Sequence, residues 1–161
     1  MRTMGPADGS FRSEGARMKI SIAGDHAGFE GKELVRRHLA ALGHEVIDRG
    51  PDNEDRVDYP DFAEAVARDV QSGRAERGVL VCGTGIGMAI AANKCAGIRA
   101  ANVVSVEFAQ LAREHNNANV IALSGRFVDA GTNLAIVEAF LSTPFGGGRH
   151  AGRVEKIMAL D

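Results

Sequence analysis

Five times in succession the chain repeats one pattern: a short apolar run of strand length, then a stretch with apolar residues at helical spacing. The apolar runs lie at residues 19–23 (KISIA), 44–48 (HEVID), 78–82 (GVLVC), 98–102 (IRAAN) and 119–123 (NVIAL). Helical patterns follow at 29–42, 60–73, 86–94, 106–115 and 132–141, and a last one covers 149–160. In the first, Leu34, Val35, His38, Leu39 and Leu42 fall on one side before Gly43. In the second, Phe62, Val66 and Val70 recur every four residues between Pro60 and Gly73. Ser105 stands where the fourth helix needs its N-cap. Five strand–helix units in a row predict parallel strands, because each helix carries the chain back to the end where it started. Right-handed crossovers then predict an α/β, Rossmann-like doubly wound fold: a five-stranded parallel sheet with helices on both faces.

In such sheets ligands bind beyond the carboxyl ends of the strands. Those ends carry Asp25-His26 after the first strand, Cys82-Gly83-Thr84-Gly85 after the third, Asn102 after the fourth and Ser124-Gly125-Arg126 after the fifth. The third is the most unusual, since Gly83, Gly85 and Gly87 alternate directly behind a cysteine. A dinucleotide site would need GxGxxG after the first strand and an acid about 20 residues later. Here the spacing is GxGxG after the third strand, Val and Ser occupy the acid's place, and no Walker lysine follows. The glycines leave two readings, a tight strand-to-helix turn or a concavity of N–H groups that receives an anion. Cys82 leaves three: a buried strand-end thiol, an acyl-transfer nucleophile, or a base removing a proton beside a carbonyl while the amides hold the developing oxyanion. A helix N-terminus favours the thiolate that the last two need. No local His–acid signature supports acyl transfer.

His115 and Asn116 end the fourth helix in AREHNNAN, with His115 continuing the side that carries Phe108, Leu111 and Ala112. That places His115 either as a half-buried structural imidazole or as a proton shuttle to sugar hydroxyls. Arg149 and Arg153 are four apart behind a run of glycines, so they share a helix face. They form a solvated basic face or a phosphate clamp, with Arg126 and His26 as further candidates. His38, His44 and His150 read as structural, and no histidine or carboxylate grouping has metal-ligand spacing.

Composition narrows the classes. Net charge is -2 and tryptophan is absent, which excludes a basic or stacking surface for nucleic acid. No apolar run approaches the roughly 20 residues of a membrane span. Residues 1–17 lack periodicity and an apolar signal core, and read as a disordered extension before a single domain at 18–161. Two cysteines, Cys82 and Cys95, with no CxxC spacing, fit reduced thiols in the cytoplasm.

Five stretches in order, AGDHAGF, DYPDFA, CGTGIGMAIAANK, AREHNNANV and GGRHAGRVEKI, resemble the sugar-phosphate isomerases of the type B ribose-5-phosphate isomerase group, which includes galactose-6-phosphate isomerase subunits. The likeness runs from Met18 to nearly the end of the chain. It implies a cofactor-free and metal-free aldose–ketose isomerase that interconverts ribose 5-phosphate and ribulose 5-phosphate through an enediolate. It also implies a homodimer or tetramer with active sites shared between subunits. By the resemblance, Cys82 moves the proton between C1 and C2. Gly83, Gly85, Ile86 and Gly87 form the anion hole, with Asn116 adding a side chain. Thr84 serves the hydroxyl side, and His115 opens the furanose ring. Asp25 holds sugar hydroxyls and Tyr59 packs on the sugar. His26, Arg126, Arg149 and Arg153 clamp the phosphate, some of them from the second subunit. A hexose 6-phosphate isomerase, acting on galactose or allose phosphate, and a non-catalytic phosphosugar-binding module remain alternatives. Many members read HNDAN where this chain has Asn117 in HNNAN, and the branch that replaces the cysteine uses a nearby Glu that is absent here, where Met88, Ala89 and Ile90 stand.

Overall fold

A computed structural model of the protein describes residues 16–161. Most of the stretch expected to be a disordered extension, residues 1–15, lies outside the described residues. Met18 is already buried in the core, and its N–H donates to His44 Nδ1 at 3.1 Å.

The chain runs β1 (Lys19–Gly24), α1 (Phe29–Ala41), β2 (Glu45–Asp48), α2 (Tyr59–Gln71), β3 (Arg77–Cys82), α3 (Ile86–Ala92), β4 (Ala100–Asn102), α4 (Val106–Asn116), β5 (Val120–Ser124), α5 (Ala130–Ser142) and α6 (Arg149–Met158). The strands form one five-stranded sheet in the order β2-β1-β3-β5-β4, and every neighbouring pair is parallel. The chain steps one way from β1 to β2, the other way to β3 and β4, and back again to β5. With right-handed crossovers, each reversal sends the connecting helix to the opposite face. Accordingly Val35 of α1, Ala109 of α4 and Phe140 of α5 share one core with Ile20, Val79 and Ile121. Val66 of α2 and Met88 of α3 share the other with Leu80, Cys82 and Ala122.

Two boundaries around the α3–β4 turn differ from the sequence pattern, and the side chains of Asn93 and Asn119 mark them. The Asn93 side chain receives the Ala100 N–H on Oδ1 at 2.7 Å and donates from Nδ2 to the Ala100 carbonyl at 2.9 Å. This ends α3 at Ala92, short of the expected Lys94. Arg99 N–H is taken by Asn119 Oδ1, so pairing in β4 starts at Ala100 and not at Ile98.

Two helix faces also differ. In α1, Leu34 and Leu42 lie outside and Lys32 is fully buried, with its ammonium 3.0 Å from Asp48 and 3.1 Å from Glu33. In α4 the buried face is Ala109, Ala112 and Arg113, while Phe108 is exposed. Arg113 donates to the Thr143 and Ala118 carbonyls and to Asn117 Oδ1, and Asn117 turns the chain into β5 with φ 49°. A guanidinium with several donors in a fixed fork can satisfy this helix end from within, which no apolar residue could do.

Candidate active site

The site begins where β3 stops. Cys82 closes the strand, and Gly83, Thr84 and Gly85 carry the chain into α3. Gly85 has φ 85°, the left-handed region, and a Cβ there would overlap the Asn102 side-chain amide and stand 2.9 Å from the Ala122 carbonyl oxygen. Only glycine fits such a position without strain. The turn brings the Gly85 N–H onto Cys82 Sγ at 3.0 Å. Ile86 N–H reaches Thr84 Oγ1 at 3.1 Å. The sulfur is nearly buried, 5% exposed, and a loop amide points at it. α3 has only 7 residues, so the loop's own N–H groups, rather than a long helix dipole, supply most of the positive field.

Neighbouring elements hold this loop. Asn102, at the end of β4, donates from Nδ2 to the Thr84 carbonyl at 3.1 Å and to the Ala122 carbonyl at 3.0 Å. The C=O and N–H of one trans peptide point in opposite directions. Gripping the Thr84 carbonyl therefore turns the Gly85 N–H the other way, toward Cys82. Ser124, at the end of β5, donates to the Gly83 carbonyl at 2.8 Å and receives the Phe127 N–H at 3.0 Å. Neither role is visible in the sequence beyond the presence of a polar residue at a strand end.

The remaining groups at this end of the sheet surround the loop. Asp25 is buried after β1, and its Oδ1 receives the Gly28 N–H at 2.8 Å. His26 Nδ1 is buried and finds no partner among the described residues. Tyr59 lies directly over the loop, since a Cβ on Gly87 would stand 2.7 Å from its ring. The Arg126 guanidinium lies 3.3 Å from where a Cβ on Gly83 would stand, and Arg126 N–H donates to the Gly83 carbonyl. A buried sulfur, loop amides, a carboxylate, an aromatic side chain and a cation thus gather at the carboxyl end of the sheet.

His115, Asn116, Arg149 and Arg153 do not join them within this chain. α4 runs down to the amino end of the sheet, where β5 begins at Val120, and α6 packs there. At about 3.3 Å per residue, β5 alone separates the two groups by roughly 15 Å. At the lower end the His115 and His150 rings stack, with centroids 4.3 Å apart and planes at 16°. His150, which the sequence marks as structural, is thus the direct neighbour of a candidate site residue. Burial holds its pKa below the ordinary histidine value, and His115, Arg149 and Arg153 push the same way against Glu114. Asn116 borders a cavity of about 480 Å³ with Ala100, Ala101, Ile157 and Met158, at the β4 edge.

A family model described as Ribose/Galactose Isomerase matches residues 20–157. The chain belongs to the ribose/galactose isomerase family. It is 46% identical over 143 residues to the ribose-5-phosphate isomerase B of Escherichia coli (strain K12), covering 89% of this chain and 96% of that one. The crystal structure of a ribose 5-phosphate isomerase from Thermotoga maritima superposes with a TM-score of 0.87 at 51% identity, covering 88% of this chain and 98% of that chain. The Mycoplasma genitalium ribose-5-phosphate isomerase B, solved with bound ribulose-5-phosphate, matches with a TM-score of 0.85 at 46% identity over 88% of this chain and 95% of that chain. The expected fold and isomerase class therefore stand.

Proposed function

We propose that the protein interconverts ribose 5-phosphate and ribulose 5-phosphate in the cytoplasm through an enediolate, with Cys82 as the base. The observation that carries this reading is the Gly85 N–H held on Cys82 Sγ inside a loop of glycines. Proton abstraction beside a carbonyl is slow because charge builds on oxygen, and one well-aimed donor is worth roughly 3 kcal/mol to such a step. The thiolate takes the proton from C2 of the open aldose, and the electron pair moves toward the carbonyl oxygen, which the loop receives with the amides of 83–87 that Cys82 and Thr84 do not already hold. A proton passes from O2 to O1 on the side that Thr84 serves, and return of the proton from Cys82 to C1 then yields the ketose with its carbonyl at C2. The balance is closed without metal, organic cofactor or redox partner. Asp25 binds sugar hydroxyls, Thr84 serves the hydroxyl side, Tyr59 covers the sugar, and His26 with Arg126 meets the phosphate.

His115, Asn116, Arg149 and Arg153 complete this site from a second copy of the chain. Among the described residues the β4 edge, three residues long, is unpaired on one side, and Ile86, Ile90, Val104 and Phe108 beside it are exposed. An isologous dimer across this edge covers that apolar surface. With the two sheets running in opposite directions, the lower end of one copy meets the upper end of the other. The phosphate then sits between Arg126 of one chain and Arg149 and Arg153 of the other, and His115 reaches the ring oxygen.

The assay is kcat/KM on ribose 5-phosphate beside galactose and allose 6-phosphates, with Cys82→Ala as control. Dominant ribose turnover, lost in Cys82→Ala, supports the reading. Dominant hexose turnover moves the substrate to a longer sugar, and tight binding without turnover makes the protein a sugar-phosphate-binding module. Site sharing is tested by mixing inactive Cys82→Ala and Arg153→Ala homodimers after reversible dissociation. Random re-pairing restores about a quarter of the wild-type activity if each site draws on both chains, and none if each chain holds a whole site.

A further inference from the structure

We propose that His150 is a positioning residue for ring opening: its imidazole, stacked on His115, holds the His115 ring in the orientation that exchanges protons with the closed sugar. This rests on the isomerase reading above and assigns a task to a histidine that the sequence marks as structural.

The local chain path is built to deliver this stack. His115 lies half-buried on the last turn of α4. Gly146 N–H donates to the Glu114 carbonyl at 2.9 Å, tying the approach of α6 to that same turn. Gly147 and Gly148 both have positive φ, 62° and 54°, and turn the chain so that His150 arrives as the second residue of α6. The rings then lie nearly parallel at 4.3 Å. Both belong to one chain, so the arrangement does not wait for a second copy. Stacked imidazoles resist being charged together, and Arg149 and Arg153 from α6 add to that resistance, with Glu114 from α4 opposing it. His150 therefore sits as a neutral ring at neutral pH and leaves proton traffic to His115.

Opening the furanose moves one proton and no electrons in or out. O1 gives up its hydrogen, the C1–O4 bond breaks with its pair going to O4, O4 takes a proton, and C1 becomes a carbonyl. One imidazole can serve both oxygens in turn, provided that it faces them edge-on. A ring free to rotate about its side-chain bonds loses that alignment, and orientation is a large part of the rate of such steps.

Ribulose 5-phosphate separates this step from the rest, because its C5 oxygen carries the phosphate and it cannot close a furanose. Exchange of its C1 hydrogen with deuterated solvent needs the base and the anion hole but no ring opening. The full-length protein carrying His150→Ala or His150→Gln is expected to turn over ribose 5-phosphate on the order of tenfold more slowly or worse. KM and the C1 exchange rate of ribulose 5-phosphate stay within about twofold of wild type. His150→Phe, which keeps a stacking face, recovers most of the lost kcat. Equal loss of both reactions, a rise in KM for both sugars, or no loss in any variant overturns the proposal. If His150→Ala does not fold, the contrast between His150→Gln and His150→Phe decides it. Persistence of exchange in Cys82→Ala would instead remove Cys82 as base and leave the His150 comparison readable.

Discussion

The Gly85 N–H points at Cys82 Sγ across 3.0 Å, and the carbonyl of the same peptide is gripped from behind by Asn102. Sulfur, donor and clamp come from two strand ends and one turn, so the geometry is fixed before any ligand arrives. Gly85→Ala tests it. A side chain at φ 85° costs about 1–2 kcal/mol for the left-handed backbone alone. The new Cβ also displaces the Asn102 amide. The expected result is a lower melting temperature, by roughly 2–4 °C per kcal/mol, with kcat reduced on the order of tenfold or more because the donor leaves the sulfur. Calorimetry and steady-state kinetics check the two parts separately.

Tyr59 and Gly87 make a different test of the same loop. A Cβ on Gly87 would stand 2.7 Å from the Tyr59 ring, but Tyr59 is 40% exposed and can swing outward. Gly87→Ala is therefore expected to cost under about 1 kcal/mol of stability while weakening sugar binding through the displaced ring. The signature is a raised KM. In Tyr59→Ala the same Gly87→Ala change should add little further, so a double-mutant cycle measures the coupling. Full additivity would mean that Tyr59 does not cover the sugar.

The architecture was legible in the sequence because periodicity reports burial, and the strand ends announced the carboxyl-end pocket through Asp25, Cys82 and Arg126. Strand order was not legible, since nothing local distinguishes a step to the left from a step to the right. The end of α3 and the late start of β4 depend on two side chains, Asn93 and Asn119, that take backbone groups from other segments. His150 escaped for a related reason. Its partner lies on another helix, and no spacing within 149–160 encodes a stack with His115. The split of the candidate residues between the two ends of the sheet follows from α4 running antiparallel to the strands, which places any residue of its last turn far from Cys82.

Arg113 holds the end of α4 from which His115 and Asn116 project. It is fully buried and donates to Asn117 Oδ1 and to the carbonyls of Ala118 and Thr143. Arg113→Met fills the volume but strands those acceptors, each at about 1–3 kcal/mol. The expected total is about 3 kcal/mol or more, read from the urea midpoint at unchanged slope. Arg113→Lys should not restore it, because an ammonium cannot reach three acceptors in a planar fork.

Asp69 sets the acid limit of the fold. Its carboxylate is buried on α2, where it receives Ser21 Oγ at 2.8 Å, two bonds from Arg49 at 2.6 and 2.7 Å, and Arg74 at 3.1 Å. Burial pushes its pKa up, but Arg49, Ser21 and Arg74 outweigh this and hold it below the ordinary carboxylate value. A carboxyl that is more acidic folded than unfolded binds fewer protons in the native state, so its contribution is complete above about pH 4 and is lost as pH falls through the folded value. Asp69→Asn removes the charge that pairs both arginines, and is expected to cost about 2–4 kcal/mol at neutral pH. The variant should also lose part of the acid dependence, so its stability curve and that of the wild type converge below pH 4. Urea unfolding between pH 3 and 7 measures both effects. Parallel curves across that range would mean that folding leaves the Asp69 pKa where it is in the unfolded chain, and that Arg49, Ser21 and Arg74 do not favour its charged form.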